Sequence, residues 1–287
     1  MRRAALLCAC AMTPLAIAAG AGPGTRTEPL WEAGAGIGGA HFPDYRGSDR
    51  SRNYPFPVPY FVYRGEFLSA DRNGVRGLLV QNERLDLDAS VGASLPVDSS
   101  RDPVREGMPD LRPTLELGPS LNVTLWRNDD RRKRLDVRLP VRAGMTLESH
   151  PRFIGWQLFP HLNLDVRDPA GLDGWNLGLL AGPVFSDARH NRYFYEVAPE
   201  FATPERPAFT PGGGFAGMEY LAAVSKRYPK LWVGGFVRYD TLGGAAFEES
   251  PLVTSKHYFA AGFGIAWILG ESTERVAVNP FDERSVR

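Results

Sequence analysis

His161, Asn163 and Asp165 stand two residues apart, so on an extended strand all three point to one face. Asp86, Asp88 and Ser90 repeat that spacing. Histidine, carboxylate and hydroxyl are the parts from which hydrolases assemble a nucleophile, a base and an orienting group. A period of two spreads them along one wall, however, and no G-x-S-x-G turn occurs. Polar side chains facing a watered interior account for both sets. His41, His150, His190 and His257 are scattered, without the spacing of metal ligands. Gly34-Ala35-Gly36-Ile37-Gly38-Gly39 fits the letters G-x-G-x-x-G, and so does 212–217. A dinucleotide site needs a strand before those glycines and a helix after them, so that the helix N-terminus meets the pyrophosphate. Pro43 and Gly47 forbid the helix in the first case, and Pro204, Pro207 and Pro211 spoil the strand in the second. Only 218–226 has a helical alternative. Glycines on tightly curved strands are the better reading. Arg131-Arg132-Lys133-Arg134 follow Asp129-Asp130 in a turn. Such a run meets either water or the phosphates of lipopolysaccharide and peptidoglycan precursors.

The elements that carry these residues alternate with period two. In 85–95 every odd residue is apolar and every even one polar or glycine. The pattern recurs in 111–125 and 135–147, and less strictly in 154–166, 175–185, 231–239 and 259–269. Each run therefore has one oily and one polar face. Soluble strands average about 5–6 residues, whereas a membrane-crossing strand needs about 9–11. Leu115, Leu121, Val137, Leu139 and Val141 are expected to face lipid. Arg112, Glu116, Asp136, Arg138 and Arg142 are expected to face a lumen, where interspersed charges of both signs are tolerated. Lipid leaves backbone groups no partner outside the sheet, so such strands must close into a barrel. Aromatics near strand ends resemble an interfacial girdle: Trp126, Trp156, Trp175, Tyr193, Tyr195, Tyr228, Trp232, Tyr239, Tyr258 and Trp267.

Composition agrees. Lys and Arg total 33, as do Asp and Glu, which excludes a generally basic nucleic-acid binder. The hydrophobic share of 43% and mean hydropathy of −0.25 exclude a helical membrane protein. Gly 31 and Pro 24 imply many turns. Residues 1–21 read as a cleaved secretory signal: Arg2-Arg3, an apolar run, then small residues at Ala16 and Ala18. Both cysteines, Cys8 and Cys10, fall inside it, so the mature chain has no thiol chemistry. The reading is an all-β chain: a transmembrane antiparallel β-barrel over 22–270, with about 12 strands in a range of 10 to 14, then a polar tail over 271–287. Turns at 149–152 and 186–191 are expected to be short and periplasmic.

Several motifs carry a family resemblance. Residues 31–39, then Pro43-Asp44-Tyr45-Arg46-Gly47-Ser48-Asp49 and Pro55-Phe56-Pro57, resemble the opening of the MipA/OmpV family. Gly107-Met108-Pro109-Asp110-Leu111 is similar, as is Arg192-Tyr193-Phe194-Tyr195-Glu196-Val197 before Gly212-Gly213-Gly214. The most specific piece runs from Phe236 to Leu242 and on to Ser250-Pro251-Leu252-Val253. The resemblance implies a Gram-negative outer-membrane barrel surrounded by lipid and lipopolysaccharide. It implies a non-enzymatic scaffold joining two periplasmic murein enzymes, a lytic transglycosylase and a peptidoglycan synthase, with no cofactor and no nucleic acid. The alternatives are a small-solute channel and a barrel enzyme acting on lipid or lipopolysaccharide. Family members usually end in a strand with a terminal aromatic, whereas this chain continues past Leu269.

Overall fold

The computed structural model describes residues 26–64, 68–71, 74–77 and 85–278. The expected leader over 1–21, with Cys8 and Cys10, lies outside them. The strands are β1 (Arg26–Pro29), β2 (Trp31–Pro43), β3 (Ser51–Arg64), β4 (Leu68–Asp71), β5 (Gly74–Gly77), β6 (Leu85–Ser94), β7 (Thr114–Arg127), β8 (Lys133–Thr146), β9 (Phe153–Leu158), β10 (His161–Arg167), β11 (Trp175–Ser186), β12 (Gly214–Tyr228), β13 (Leu231–Thr241), β14 (His257–Glu271) and β15 (Arg275–Val278). One α-helix, α1 (Ala188–Tyr195), interrupts them among the described residues.

One antiparallel sheet runs in the order β5-β4-β3-β2-β14-β13-β12-β11-β10-β8-β7-β6. β9 lies between the same neighbours as β10, β8 and β11, so the two are one strand broken at Phe159-Pro160. β5 and β6 lie side by side, so the ends of the path meet and the sheet is a barrel of twelve strands. Residues 218–226 belong to β12 and pair residue by residue with β13, so the helical alternative does not hold there. Within 67–80 the described residues 68–71 and 74–77 pair as the short hairpin β4–β5. The outward positions are apolar and exposed, as at Ile37, Val91, Leu121, Leu125, Val237 and Phe263. No helix among the described residues is long and apolar enough to cross a membrane.

The connections sort into two ends. Residues 44–50, 95–113, 147–152, 187–213 and 242–256 share one end. Residues 128–132, 168–174 and 229–230 share the other, together with β1 and β15. β1 and β15 pair with each other, from Arg26 opposite Val278 to Pro29 opposite Arg275. This corrects the turn assignment. Residues 149–152 and 186–191 lie at the long-loop end, not among the short turns. Alternation by length failed because 186–192 is not a complete turn: Asp187 caps α1, its carboxylate accepting from His190 N at 2.7 Å, and the connection continues to 213.

The apolar core sits among the long loops. Leu242, Phe247 and Leu252 are fully enclosed there, together with Tyr45, Val97, Leu111, Phe194 and Tyr195. Leu111, at the edge of an alternating run, bridges Val97 in this core, and β7 starts three residues later.

Tolerance on the outward face should vary sharply with depth. Leu121→Arg, near the middle of β7, should destabilise the barrel in bilayers by roughly 2–4 kcal/mol, and Leu85→Arg, at the strand end, by about 0–1 kcal/mol. Reversible denaturant titration in lipid vesicles checks this; equal costs would contradict the depth assigned to Leu121.

Candidate functional site: a capped and ion-paired lumen

The cap at the long-loop end joins three motifs far apart in sequence. Tyr45 donates its hydroxyl to Leu252 O at 2.7 Å, and Ser250 donates to Tyr195 O at 2.7 Å. Tyr195, from α1, donates back to Arg46 O at 2.8 Å and stacks on Phe247 with ring centroids 3.7 Å apart. Gly47 O accepts from the backbone N–H of Thr254 and Ser255. Gly47 has φ +102, and an added Cβ would press on Leu242 and Val253, so glycine is required twice over. Ser48 N bonds Tyr45 O and Asp49 N bonds Thr254 Oγ1, while Pro251 stands between Ser250 and Leu252. Burial pushes the Tyr45 and Tyr195 phenols well above their usual range, so both stay protonated donors. Arg105 is buried over the Tyr45 ring. It donates to Phe194 O, Pro109 O and Ser99 Oγ at 3.2–3.3 Å, so carbonyls replace its water.

Beneath the cap, the inward positions carry a charge network. Arg46 reaches from the 44–50 loop to Asp240 of β13 at 2.7 Å, and Arg238 meets Asp240 at 2.6 Å and Glu219 at 2.9 Å. Glu116 accepts from His190 Nε2 of α1 at 3.1 Å and lies 4.0 Å from Arg142, which also donates to Ser90 Oγ at 2.8 Å. Deeper, Arg134 and Arg138 share Asp136 and Asp165 at 3.0–3.6 Å, and Asn163 donates to Asp165. At the short-turn end Glu32, wholly buried, holds Arg64 at 3.0 Å, Arg227 at 2.8 Å and the Tyr60 hydroxyl. Burying charge is costly unless each is paired and hydrogen-bonded, and these charges are spent on one another.

Glu116, Asp136, Arg138 and Arg142 thus occupy inward positions within this network. Arg112 does not: it precedes β7, is exposed, and offers only its carbonyl, to Tyr193. The run 131–134 splits. Arg131 and Arg132 remain in the turn, whereas Arg134 is buried against Asp136 and Asp165. The aromatic girdle also loses members. Tyr193 and Tyr195 belong to α1, and Trp232 and Tyr258 face inward. His161 is buried, and its Nδ1 lies 2.8 Å from Phe159 O. Glu116 and His190 form half of a catalytic set, but no hydroxyl hydrogen-bonds His190 Nδ1 among the described residues. No group of three or more metal-ligating side chains occurs among them either. Glu32, Glu219 and the Arg46–Asp240 pair escaped sequence reasoning. Period two puts Glu32, Glu219 and Asp240 on inward faces, but Arg46 comes from a loop.

The opposite wall is apolar. Gly34, Gly36 and Gly38 of β2 run beside β14, where an added Cβ on Gly34 or Gly36 would stand 1.9–2.0 Å from a β14 carbonyl oxygen. The glycine letters are therefore barrel wall. A cavity of about 480 Å³ opens along this side, with Val58, Tyr60, Trp232 and Phe236 facing Asp165, Asn176 and Ser225.

The family model for MltA-interacting protein MipA matches residues 35–269. The chain belongs to the MipA family. The match runs from within β2 to within β14, with the cap and its Tyr45, Tyr195 and Ser250 contacts inside it. Among solved structures, the NanC porin in a rhombohedral crystal form is similar at 6% identity over 83% of this chain and 100% of that one, with a TM-score of 0.38. No curated protein matches. Membership and the closed sheet make this an outer-membrane type of β-barrel protein. In this MipA-family chain the motifs at 43–49, 192–197 and 250–253 build the cap.

Tyr45→Phe and Tyr195→Phe each leave a buried carbonyl without its donor, which should cost the cap about 1–3 kcal/mol. Proteolysis of the 95–113 and 187–213 connections should speed up while the heat-modifiable gel mobility of the barrel persists. An unchanged cleavage rate would contradict the role given to these hydroxyls.

Proposed function

We propose that this protein is a non-enzymatic scaffold of the Gram-negative outer membrane, holding a murein lytic transglycosylase and a peptidoglycan synthase at its periplasmic face. The observation that carries the reading is the cap. Loops that would form a channel mouth are instead folded around their own apolar core, and Arg46 and His190 fasten them to the wall. A lumen closed and ion-paired in this way suits a rigid body better than a path for solutes. The name of the family model, MltA-interacting protein, supports a murein enzyme as partner.

Outer-membrane barrels keep short turns on the periplasmic side and long loops outside. On that rule the partners meet the turns at 128–132, 168–174 and 229–230 and the β1–β15 ribbon. Lipopolysaccharide surrounds the long-loop end. The turn at 128–132 presents exposed Asp129, Asp130, Arg131 and Arg132, with Arg132 held 3.9 Å from Asp168 of the neighbouring turn. This pair links two turns into one charged surface.

Crosslinking in native envelopes, followed by identification of the captured proteins, tests the proposal. Murein enzymes should be captured, and replacing 128–132 by Asn-Gly should reduce their capture several-fold while the barrel still assembles. The combined Ser90→Ala and His190→Gln variant should keep full capture. In planar bilayers the protein should show no conductance steps. Steps whose size changes with Arg138→Ala would favour the channel instead, and lipid turnover abolished by the double variant would favour the enzyme.

A further inference from the structure

The rim of the long-loop end gathers positive charge on one side. Helix α1 turns His190, Asn191, Phe194 and Tyr195 into the cap. Arg189, Arg192 and Tyr193 share its other face, and both arginines are exposed. Tyr193 donates its hydroxyl to Arg112 O at 2.9 Å, which brings the 95–113 connection against the helix. Burial raises the Tyr193 phenol above its usual range, and the charges of Arg152 and Glu148 both act on it. Hydrogen bonds from Thr146 and Arg152, then the charges of Arg152 and Arg112, hold the Glu148 carboxylate below its usual range. Arg112, Arg152, Arg189 and Arg192 therefore surround one tyrosine, with the Glu148 carboxylate among them.

Glu148 is already engaged. It accepts from Arg152 Nε at 2.9 Å, and the Arg152 side chain stays 66% exposed. Arg112, Arg189 and Arg192 form no ion pair among the described residues. Arg189 lies over the Phe153 ring, 5.1 Å from its centroid, a contact that holds the guanidinium and leaves its N–H groups available. Other cations at the same end are matched: Arg52 meets Asp44, Arg101 meets Asp98 and Lys256 meets Glu248. A concentration of one sign of charge attracts the opposite one, so this cluster favours an anion.

The cluster borders the outward wall of the barrel. Phe153 meets Trp156 edge-on, with ring centroids 5.8 Å apart. Trp156 pairs with Ala143, and Leu158 with Val141, along the outward positions of β8 and β9. Met145, Trp156 and Leu158 are exposed there. Arginine forks above an apolar strip match one kind of molecule, a lipid with a phosphorylated headgroup. The guanidinium geometry suits phosphate oxygens in pairs, and the strip suits acyl chains. A soluble phosphate would use the charges and leave the strip aside.

We propose that Arg112, Arg152, Arg189 and Arg192 bind the phosphate groups of lipopolysaccharide, whose acyl chains lie along Met145, Trp156 and Leu158. The site is on the outside of the rim and leaves the cap closed. It shares with the scaffold reading the orientation of the barrel, long loops outward, and nothing of the periplasmic surface.

The test uses the whole protein refolded from inclusion bodies into detergent, and native mass spectrometry to count bound lipid A. Dephosphorylated lipid A should bind about tenfold or more weakly than the bisphosphorylated form. Arg112→Gln, Arg189→Gln and Arg192→Gln combined should lose about tenfold or more in affinity for the bisphosphorylated form. Its heat-modifiable mobility should persist, because all three side chains are exposed. Arg101→Gln, at the same end but outside the cluster, should bind like the parent. Lysine at the same three positions should recover part of the loss, since ammonium keeps the charge without the fork. Equal binding of the two lipid A forms overturns the proposal, as does unchanged binding by the triple glutamine variant. Displacement of lipid A by inorganic pyrophosphate at equal concentration overturns it too, by assigning the arginines to a soluble anion. The substitutions leave the turn at 128–132 intact, so loss of murein-enzyme capture is a separate result.

Discussion

The Arg46–Asp240 ion pair is the point at which cap and barrel become one structure. Asp240 is completely enclosed on β13, a position no carboxylate occupies without strong partners. Arg238 supplies one partner from its own strand. Arg46 supplies the other from a loop two strands away around the ring, and the carbonyl of that same residue receives the Tyr195 hydroxyl from α1. Three connections therefore depend on a single charged contact. If the loop at 44–50 swung out, Asp240 would lose half its compensation and Tyr195 its acceptor at once. Cooperative closure follows from that coupling, and it explains why Tyr45, Gly47 and Ser48 sit where they do.

The interior divides into two walls with different physics. From β6 to β10 the inward side chains are Asp, Ser, Asn, Arg and His, and they satisfy one another at short range. Midway along β13, β14, β2 and β3 they are glycine, alanine, valine and aromatic rings, with Arg238–Asp240 and Glu32–Arg64 towards the two ends. The second wall exists because glycine lets neighbouring strands come close and leaves room for rings to lie flat. An added Cβ on Gly234 would meet the Trp232 ring at 2.4 Å, and one on Gly262 would meet the Phe236 ring at 2.6 Å. A uniformly charged lumen would hold water throughout. This one has an apolar side, and the cavity lies between it and Asp165, Asn176 and Ser225.

Strand β3 combines two opposite demands. Its even positions carry the hydrogen bonds to β2, which runs the full length of the strand from Ser51 opposite Pro43 to Tyr63 opposite Trp31. Pro55, Pro57 and Pro59 fall at the odd positions, so the three missing N–H groups cost the β2 ladder nothing.

The strands were legible because a barrel wall imposes period two over a fixed thickness. Alternation in 85–95, 135–147 and 175–185 specified β6, β8 and β11 almost to the residue, and the inward parity of Glu116, Asp136, Arg138 and Arg142 with them. Long-range closure was not legible. Arg112 has the parity of a lumen residue but lies beyond the point where β7 leaves the wall, a boundary set by the Val97–Leu111 bridge in the cap. Arg192 to Val197 has no strand or turn signature that sets its end of the barrel. Asp187 caps it into a helix, and contacts with Glu116, Arg46 and Ser250 hold it there. Period, parity and proline placement are local properties of a chain, so the sequence alone determined the wall and its inner and outer faces. Which loops meet, which charges find partners and which end is closed depend on residues up to 207 positions apart. Only the closed ring brings those residues within hydrogen-bonding distance, so the tertiary structure alone decided the cap.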